Sequence, residues 1–206
     1  MATIASAIIA KASILLLDVA NIRWSQAELL TYLCDGQREA ASLKPNIYTK
    51  TVQLPLVTGP RQTMPADARE LRSISRNITG AGAAIRPVSR DLMDAHMPNW
   101  YTAKASATVQ HSMYSQADPL AFYVYPPQPT SQPGTVEMTY YAIPADITAT
   151  AAILIPDTYA PALMDYILYR AFSKDTEYAA NMEVAQSHIT AFVQSISGKS
   201  TIEKQP

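Results

Sequence analysis

The sequence predicts an α+β fold, a helical bundle built from N- and C-terminal helices with a central β-rich insertion. Apolar residues recur at helical spacing near both ends of the chain, as one buried helix face requires. The middle of the chain instead carries short alternating segments rich in tyrosine, valine and threonine, which is typical of strands. Most of the 15 prolines also lie in this middle part, whereas the chain has only 6 glycines. Prolines close to strand ends indicate short or edge strands.

The composition indicates a folded globular protein without a strong charge bias. The chain has 206 residues, which suggests one domain, and 48% of them are hydrophobic. Charged residues make up 16%, below the roughly 25% of an average domain, and the net charge is −1. These figures exclude an intrinsically disordered chain and a strongly basic nucleic-acid binder. A surface so poor in charge is either partly covered by partners or simply less charged than average.

The N-terminal zone, residues 3–44, is predicted to hold two helices. Residues from Ile4 to Leu17 are apolar almost all round, so we expect the first helix to be buried on both sides. Lys11 interrupts this apolar run, and no positively charged segment precedes it. Both features favour a buried helix over a targeting or membrane-spanning segment.

The second helix is predicted to begin after Ser25 and to end before Pro45. Ser25 and Glu28 form a capping box, in which the serine hydroxyl accepts from the Glu28 amide and the carboxylate bonds back to the cap amide. Trp24 is expected to pack on Leu29 as a hydrophobic staple. The sequence therefore predicts where this helix starts to within about a residue.

Three features inside the second helix predict packing and not chemistry. Gly36 costs roughly 1 kcal/mol relative to alanine, so we expect a close neighbour there, with the apolar first helix as the candidate. Asp35 and Arg38 are expected to pair at i,i+3 on an exposed charged turn. Cys34, the single cysteine, is expected to be a buried small apolar side chain. One cysteine also excludes an intrachain disulfide and a cysteine-based zinc site.

The middle zone is predicted to be rich in strands and turns. This zone spans residues 46–148, and its clearest predicted strands are 107–114, 119–127 and 134–144. Residues 48–57 are also strand-like, and residues 71–78 alternate imperfectly. The connector "PPQPTSQPG" between the last two strands predicts a hairpin with a long rigid tip. Ser89 is expected to cap a short helix at residues 89–95.

Tyrosines alternate with apolar residues on one predicted strand. Phe122 and Val124 are expected to face the core, whereas Tyr123 and Tyr125 point to the other side. Tyrosine suits surfaces that are half apolar and half wet. The pattern predicts either a subunit interface or simply the outer face of a sheet.

The C-terminal zone, residues 157–197, is predicted to hold two further helices. Their apolar residues at helical spacing are Leu163, Ile167, Leu168 and Phe172 in the first, then Met182, Ala185, Ile189, Phe192 and Ile196 in the second. Residues 198–206 are polar and are expected to form a flexible tail. Residues 1–197 are therefore expected to form a single domain.

The sequence offers few candidates for chemistry. The three histidines, His96, His111 and His188, lie in different zones without a second ligand nearby. The "GAGAA" stretch at 80–84 lacks most of a dinucleotide-binding fingerprint, which favours a turn. We therefore predict no catalytic, cofactor-binding or metal-binding residues. The alternative is a small enzyme with a site near Asp91, Asp94 and His96.

Four stretches carry a resemblance to a known class of proteins. They are "RWSQAELLTYLCDGQREAASLKPNIYTKT", "TGPRQTMPADARELRSISRN", "PNWYTAKASATVQHSMYSQADPLAFYVYPP" and "YAPALMDYILYRAFSKDTEYAANMEVAQSHITAF". In this order they resemble tailed-phage head-to-tail adaptor (connector) proteins, and they are similar to the tail tubular or neck adaptors of short-tailed phages. The resemblance spans roughly residues 18–192.

The resemblance implies a non-enzymatic structural protein of the virion, located at the neck between head and tail and in the host cytoplasm during assembly. Such adaptors form a homo-oligomeric ring, usually a dodecamer, that binds the portal protein and a tail nozzle or tail tube protein. Genomic DNA passes through the ring without sequence-specific binding, and no membrane or cofactor is implied. In this setting the alternative, a site near Asp91, Asp94 and His96, would belong to a small virion-associated or host enzyme. A tail-tube or capsid-stabilising protein is a third possibility, separable by the partner that it binds.

Overall fold

The computed structural model describes residues 2–80, 82–175 and 179–203, and its fold is mixed α+β. Within these ranges there are five α-helices and two β-sheets. The chain divides into two compact units. One, here called the helical unit, comprises the residues up to Tyr48 and those from Pro144 onward. The other, the β-rich unit, is Thr49–Ile143.

The helices lie close to the segments that the sequence predicts. They are α1 (Ala5–Leu15), α2 (Gln26–Leu43), α3 (Arg90–His96), α4 (Ala160–Lys174) and α5 (Ala179–Glu203). Short 3-10 turns precede two of the structural elements, at Pro45–Ile47 and Asp157–Tyr159. The capping hydroxyls are where the sequence puts them: the Glu28 amide donates to Ser25 Oγ (3.2 Å) and the Leu92 amide to Ser89 Oγ (3.3 Å).

Helix α4 is the centre of the helical unit, since it packs against α1, α2 and α5. The core includes Leu29 and Leu33 of α2, Leu163 and Ile167 of α4, and Phe192 of α5, all fully buried. Burying a side chain of this size contributes about 1.5–3 kcal/mol. The segment at 149–155 also contributes, because its backbone bonds to the start of α1 and its isoleucines enter the same core.

The predicted neighbour of Gly36 is wrong. A Cβ at Gly36 would lie 3.0 Å from Tyr166 Cδ1 and 3.3 Å from Leu163 Cδ2, so the close partner is α4 and not α1. The physical reason is that α2 turns its Gly36 face toward the central helix of the unit, where an aromatic ring occupies the space that the glycine leaves. The expected i,i+3 pair of Asp35 and Arg38 is confirmed at 3.1 Å.

The expectation that the first helix is buried on both sides is also wrong. Ile8, Ile9 and Ala12 are buried against the core, but Ile14 and Leu15 are exposed. The rest of this unit covers the side of α1 that carries Ile8, Ile9 and Ala12, so the apolar side chains on the opposite side stay at the surface. Met182, predicted to belong to the apolar stripe of α5, is exposed as well.

The strands of the β-rich unit form a three-stranded and a four-stranded sheet. They are β1 (Thr49–Pro55), β2 (Gly59–Thr63), β3 (Ala68–Asn77), β4 (Arg86–Pro87), β5 (His111–Tyr114), β6 (Ala121–Gln128) and β7 (Thr135–Ala142). The strand orders are β1-β7-β3 and β2-β6-β5-β4. All pairings are antiparallel except that of β4 with β5.

The predicted hairpin between the last two strands is wrong, because β6 and β7 belong to different sheets. Their connector is too long and too proline-rich for a tight turn, which would keep the two strands as neighbours. Instead it lets the chain cross from one sheet to the other. The predicted orientation of β6 is confirmed: Phe122 and Val124 are fully buried, and Tyr123 and Tyr125 are half-buried.

The end of the chain is helical for longer than expected. Helix α5 continues through Gly198 to Glu203, so the first part of the predicted tail belongs to it. Residues 204–206 of that tail lie outside the described residues. Its flexibility remains a prediction.

Candidate functional site

The three residues of the alternative enzyme site, Asp91, Asp94 and His96, all lie on the short helix α3. Asp94 accepts a hydrogen bond from the Trp100 indole (2.6 Å) and lies 3.7 Å from the Arg90 guanidinium. Asp91 and His96 are exposed on the short helix α3. The Asp94 carboxylate therefore fixes the Trp100 ring, which is buried beside Met113, and performs a structural task.

The other candidates for chemistry are also occupied by packing contacts. His188 lies 3.0 Å from Asp165 and stacks on Phe172, whereas His111 stacks on Tyr125. Burial raises the pKa of the Cys34 thiol, which makes it a poorer nucleophile. Among the described residues, no group of three or more His, Cys, Asp or Glu side chains is placed to hold a metal. No helix in the described part of the chain has the length and hydropathy to cross a membrane.

An exposed apolar surface lies where α1 ends. Residues 14–22, here called the apolar loop, expose Leu17, Val19 and Ile22 to 92%, 70% and 88%. Ile14 and Leu15, in the last turn of α1, are exposed beside them. Single exposed apolar residues are ordinary, but five of them within nine positions make this segment the candidate interaction surface.

The apolar loop is held in one conformation by the carboxylate of Asp18. Asp18 accepts from the backbone amides of Ile22 (2.9 Å), Arg23 (2.8 Å) and Trp24 (2.9 Å). The bond from the Trp24 amide, with those from the other two amides, lowers the pKa of Asp18 below its usual value. The carboxylate thus stays ionised and satisfies three donors that the loop would otherwise leave to water.

Two further features show that the loop conformation is specified by the fold. Leu17 and Asn21 both have a φ of +54°, in the left-handed region that non-glycine residues seldom adopt. The Ser13 hydroxyl bonds to Asn21 Oδ1 at 2.9 Å, and Asn21 Nδ2 donates to the Val19 carbonyl at 3.1 Å. A leucine that is both backbone-strained and fully exposed is a frequent sign of a functional position.

The end of the loop is anchored in the helical unit at two points. Trp24 is buried in the core next to the start of α2. Arg23 forms an ion pair with Asp175, the residue that caps the C-terminus of α4 and also accepts from Asn181 of α5. The exposed apolar side chains of the loop are therefore held by an anchored backbone.

Sequence reasoning missed this surface, because it assigned all apolar residues up to Leu17 to a buried helix. A signal was present in "LLLDVANIRW", where Asp18 and Asn21 interrupt the apolar run at a spacing of three. Both residue types favour turns and tolerate the left-handed region. An apolar run broken in this way predicts a structured turn that carries Leu17, Val19 and Ile22.

A groove of about 290 Å³ lies within the β-rich unit. Buried Met113 and Ala121 and half-buried Tyr123 line it, together with the polar or charged residues Arg90, Asp91, Tyr114, Ser115 and Asp118. Arg90 lies 5.1 Å from the centre of that ring. One side of the sheet that holds Tyr123 is therefore open and largely apolar, with charged residues at its rim.

Comparison with known proteins bears on what these surfaces are for. No curated protein matches the chain. The family model described as SU10 adaptor protein matches residues 3–205, which include both units and the apolar loop. Since this match covers nearly the whole chain, the protein belongs to the SU10 adaptor protein family, a family of phage adaptor proteins.

Proposed function

We propose that this protein is a structural component of the virion that forms a ring between the portal and the tail and continues the DNA channel. The family match over residues 3–205 carries this proposal, since it extends across nearly the whole chain. An adaptor acts by contacting other head or tail proteins, so its function resides in surfaces. The ring, the neck position and the dodecameric state are parts of the proposal.

The exposed surfaces support an assembly role. A ring of identical subunits needs a heterologous interface, in which one patch contacts a different patch on the next copy. The apolar loop provides one rigid patch whose burial would be favourable at about 25 cal/mol per Å² of apolar surface. Because the loop is already ordered, association costs little conformational entropy there.

The fold supports different roles for the helices and the β-rich segment of each subunit in the proposed ring. We infer that the helices from both ends of the chain form the bundle body of each subunit, and that the β-rich segment is an insertion in it. The portal protein and a tail nozzle or tail tube protein are the proposed partners above and below. Assembly would take place in the host cytoplasm before the protein enters the virion neck.

The low net charge and the pairing of basic residues support a channel through which DNA slides. Several basic residues are neutralised by nearby carboxylates, among them Arg61 with Asp118 and Arg76 with Glu137. A net charge of −1 gives the duplex no strong electrostatic hold, and such a hold would oppose rapid passage.

Electron microscopy of this protein mixed with the purified portal of the same phage tests the proposal. A ring of density docked on one face of the portal is the expected result. Native mass spectrometry of the mixture gives the number of bound copies. A protein that remains monomeric and never docks on the portal would show the proposal to be wrong.

A further inference from the structure

A second groove in the β-rich unit lies where the edge strand β3 faces β4 and β5. Its volume is about 340 Å³, within the roughly 300–1,000 Å³ of ligand sites. Its polar lining is Arg72, Ser73, Ser89, Ser112 and Tyr114, and we call it the serine groove. None of the described residues that line it is acidic. The groove therefore combines one cationic side chain with several hydroxyl groups.

The walls of the serine groove are joined by backbone hydrogen bonds. The Val88 amide donates to the Ser112 carbonyl at 2.9 Å, which fixes the segment after β4 against β5. The Ile85 amide donates to the Ser75 carbonyl at 3.0 Å, which fixes the segment before β4 against β3. A ligand thus enters a groove that is already formed, and little conformational entropy is lost on binding.

Arg72 is the extra residue of a β-bulge in β3. Its neighbours Leu71 and Ser73 lie opposite consecutive residues of β7, so Arg72 has no partner of its own in the ladder. Bulges re-aim side chains and are frequent beside functional sites. Arg72 is exposed, and it forms no ion pair with any residue that the structure describes, in contrast to Arg76. Its guanidinium is therefore available to an anion.

The hydroxyl of Ser112 is the second feature that indicates a ligand. Ser112 and Tyr114 lie on the same face of β5, because alternate residues of a strand share a face. Ser112 is only 6% exposed, and its hydroxyl forms no hydrogen bond with the described residues. A buried hydroxyl without a partner costs free energy, which a ligand oxygen at this position would recover. Ser89 adds a donor, since its Oγ accepts from the Leu92 amide (3.3 Å) and its O–H can donate elsewhere.

We propose that the serine groove binds a phosphate group, with Arg72 as the cationic contact and the hydroxyls of Ser112 and Ser89 as further donors. Arginine, serine and tyrosine side chains are among those that contact phosphate oxygens in protein–nucleic acid complexes. A guanidinium also matches two oxygens of one phosphate at once. The phosphate is either part of the DNA backbone or a free ion, and both present the same oxygens. Only the DNA source rests on the proposed function.

Titration of the ¹⁵N-labelled protein with inorganic phosphate, at constant pH and ionic strength, tests the site by nuclear magnetic resonance. The amide signals of Ser73, Val88 and Ser112 should shift together and saturate. Arg72→Gln should raise the dissociation constant about tenfold or more, because one charge-assisted hydrogen bond is lost. Ser112→Ala, a nearly isosteric change, should raise it about two- to tenfold. Circular dichroism verifies that both variants remain folded.

Lys104→Gln is the matched control for charge. Lys104 is exposed in the same unit but does not line the groove, and its replacement removes the same single positive charge. The dissociation constant for phosphate should stay at the wild-type value in this variant. An equal loss in Lys104→Gln and Arg72→Gln would mean that phosphate responds to the overall charge only, and the proposal would be wrong.

A short DNA duplex, added in place of phosphate, distinguishes the two sources. If DNA supplies the phosphate, the duplex shifts the same amides, and Arg72→Gln reduces the slope of log K against log salt concentration by about 0.9. If the duplex leaves these amides unchanged while phosphate shifts them, the site takes a free phosphate.

The proposal is overturned if inorganic phosphate shifts none of the groove amides, or shifts them equally in the wild type and in Arg72→Gln. Docking on the portal is measured separately, so either result leaves the proposed ring standing. Conversely, saturable phosphate binding by a protein that never docks would keep the site and remove the proposed function.

Discussion

At the scale of single residues, the packing of neighbouring side chains explains why position 36 is a glycine. Alanine is a better helix former than glycine by about 1 kcal/mol, so an isolated α2 would gain from Gly36→Ala. In the fold, however, the added Cβ would lie 3.0 Å from Tyr166 Cδ1 and 3.3 Å from Leu163 Cδ2. Both neighbours are buried core residues with little freedom to move.

We therefore expect Gly36→Ala to lower the free energy of unfolding by about 1–2 kcal/mol, since overpacking a core outweighs the gain in helix propensity. Urea denaturation followed by circular dichroism measures the change. Gly198→Ala is the matched control, because Gly198 lies in α5 with no neighbour within 4 Å of an added Cβ. That variant should be neutral or slightly stabilised. Equal effects at both positions would contradict the packing argument.

Asp18 gives the apolar loop a dependence on pH. Its carboxylate has a pKa below the unfolded value of about 3.9, because it accepts from three backbone amides when folded. A depressed folded-state pKa stabilises the loop above the unfolded pKa, and this contribution is lost as the pH falls through the folded-state pKa.

Amide hydrogen exchange at Arg23 and Trp24 should therefore accelerate, relative to intrinsic rates, when the pH is lowered below about 4. Asp18→Asn should show faster exchange at neutral pH and little further change on acidification. The Leu33 amide, in the middle of α2, serves as the internal control and should stay protected. Unchanged protection at Trp24 in the variant would mean that the carboxylate does not hold the loop.

At the scale of elements, the sequence predicted where helices and strands lie better than which other elements they contact. The helix starts at Ser25 and Ser89 were predictable because capping is local in sequence. The contact of Gly36 with Tyr166 and the crossing from β6 to β7 depend on residues far apart in the chain. Periodicity carries no information about such pairings. The exposed side of α1 was mispredicted for a related reason: an apolar pattern indicates burial, but not whether the covering surface belongs to the same chain.

The connector between β6 and β7 depends on Gly134. A Cβ there would lie 2.1 Å from the Ala107 carbonyl oxygen, a backbone atom that cannot rotate away. The backbone around it is tied down as well, since the Gly134 amide donates to Gln128 Oε1 (2.8 Å) and its carbonyl accepts from the Leu56 amide (2.9 Å).

Gly134→Ala should thus destabilise the protein by about 3 kcal/mol or more, at the upper end of the cost of overpacking. Urea denaturation monitored by near-ultraviolet circular dichroism reports on the tyrosine-rich β unit. Adding Ala107→Gly should not restore stability, because the clash is with the carbonyl oxygen and not with the alanine side chain. Restoration by this second change would show that the side chain was the obstacle.

At the scale of the whole molecule, charge is balanced by local pairing. The chain has 16 basic and 17 acidic residues, and ion pairs such as Arg61–Asp118 and Arg76–Glu137 neutralise basic groups of the β-rich unit. A protein that contacts many DNA phosphates releases counterions, so its affinity falls steeply with salt. A near-neutral protein in which several arginines are already paired makes few such contacts.

Fluorescence anisotropy with a labelled duplex should therefore show weak binding, with a shallow dependence of log K on log salt concentration. Each phosphate contact contributes a slope of about −0.9, so we expect a slope no steeper than about −2. The double variant Asp118→Asn, Glu137→Gln frees Arg61 and Arg76 and changes the net charge from −1 to +1. It should bind more tightly and with a steeper slope, which shows that pairing keeps the wild-type affinity low. A steep slope in the wild type would instead mean that the protein contacts many DNA phosphates. DNA could then pass through a channel only if those contacts were broken.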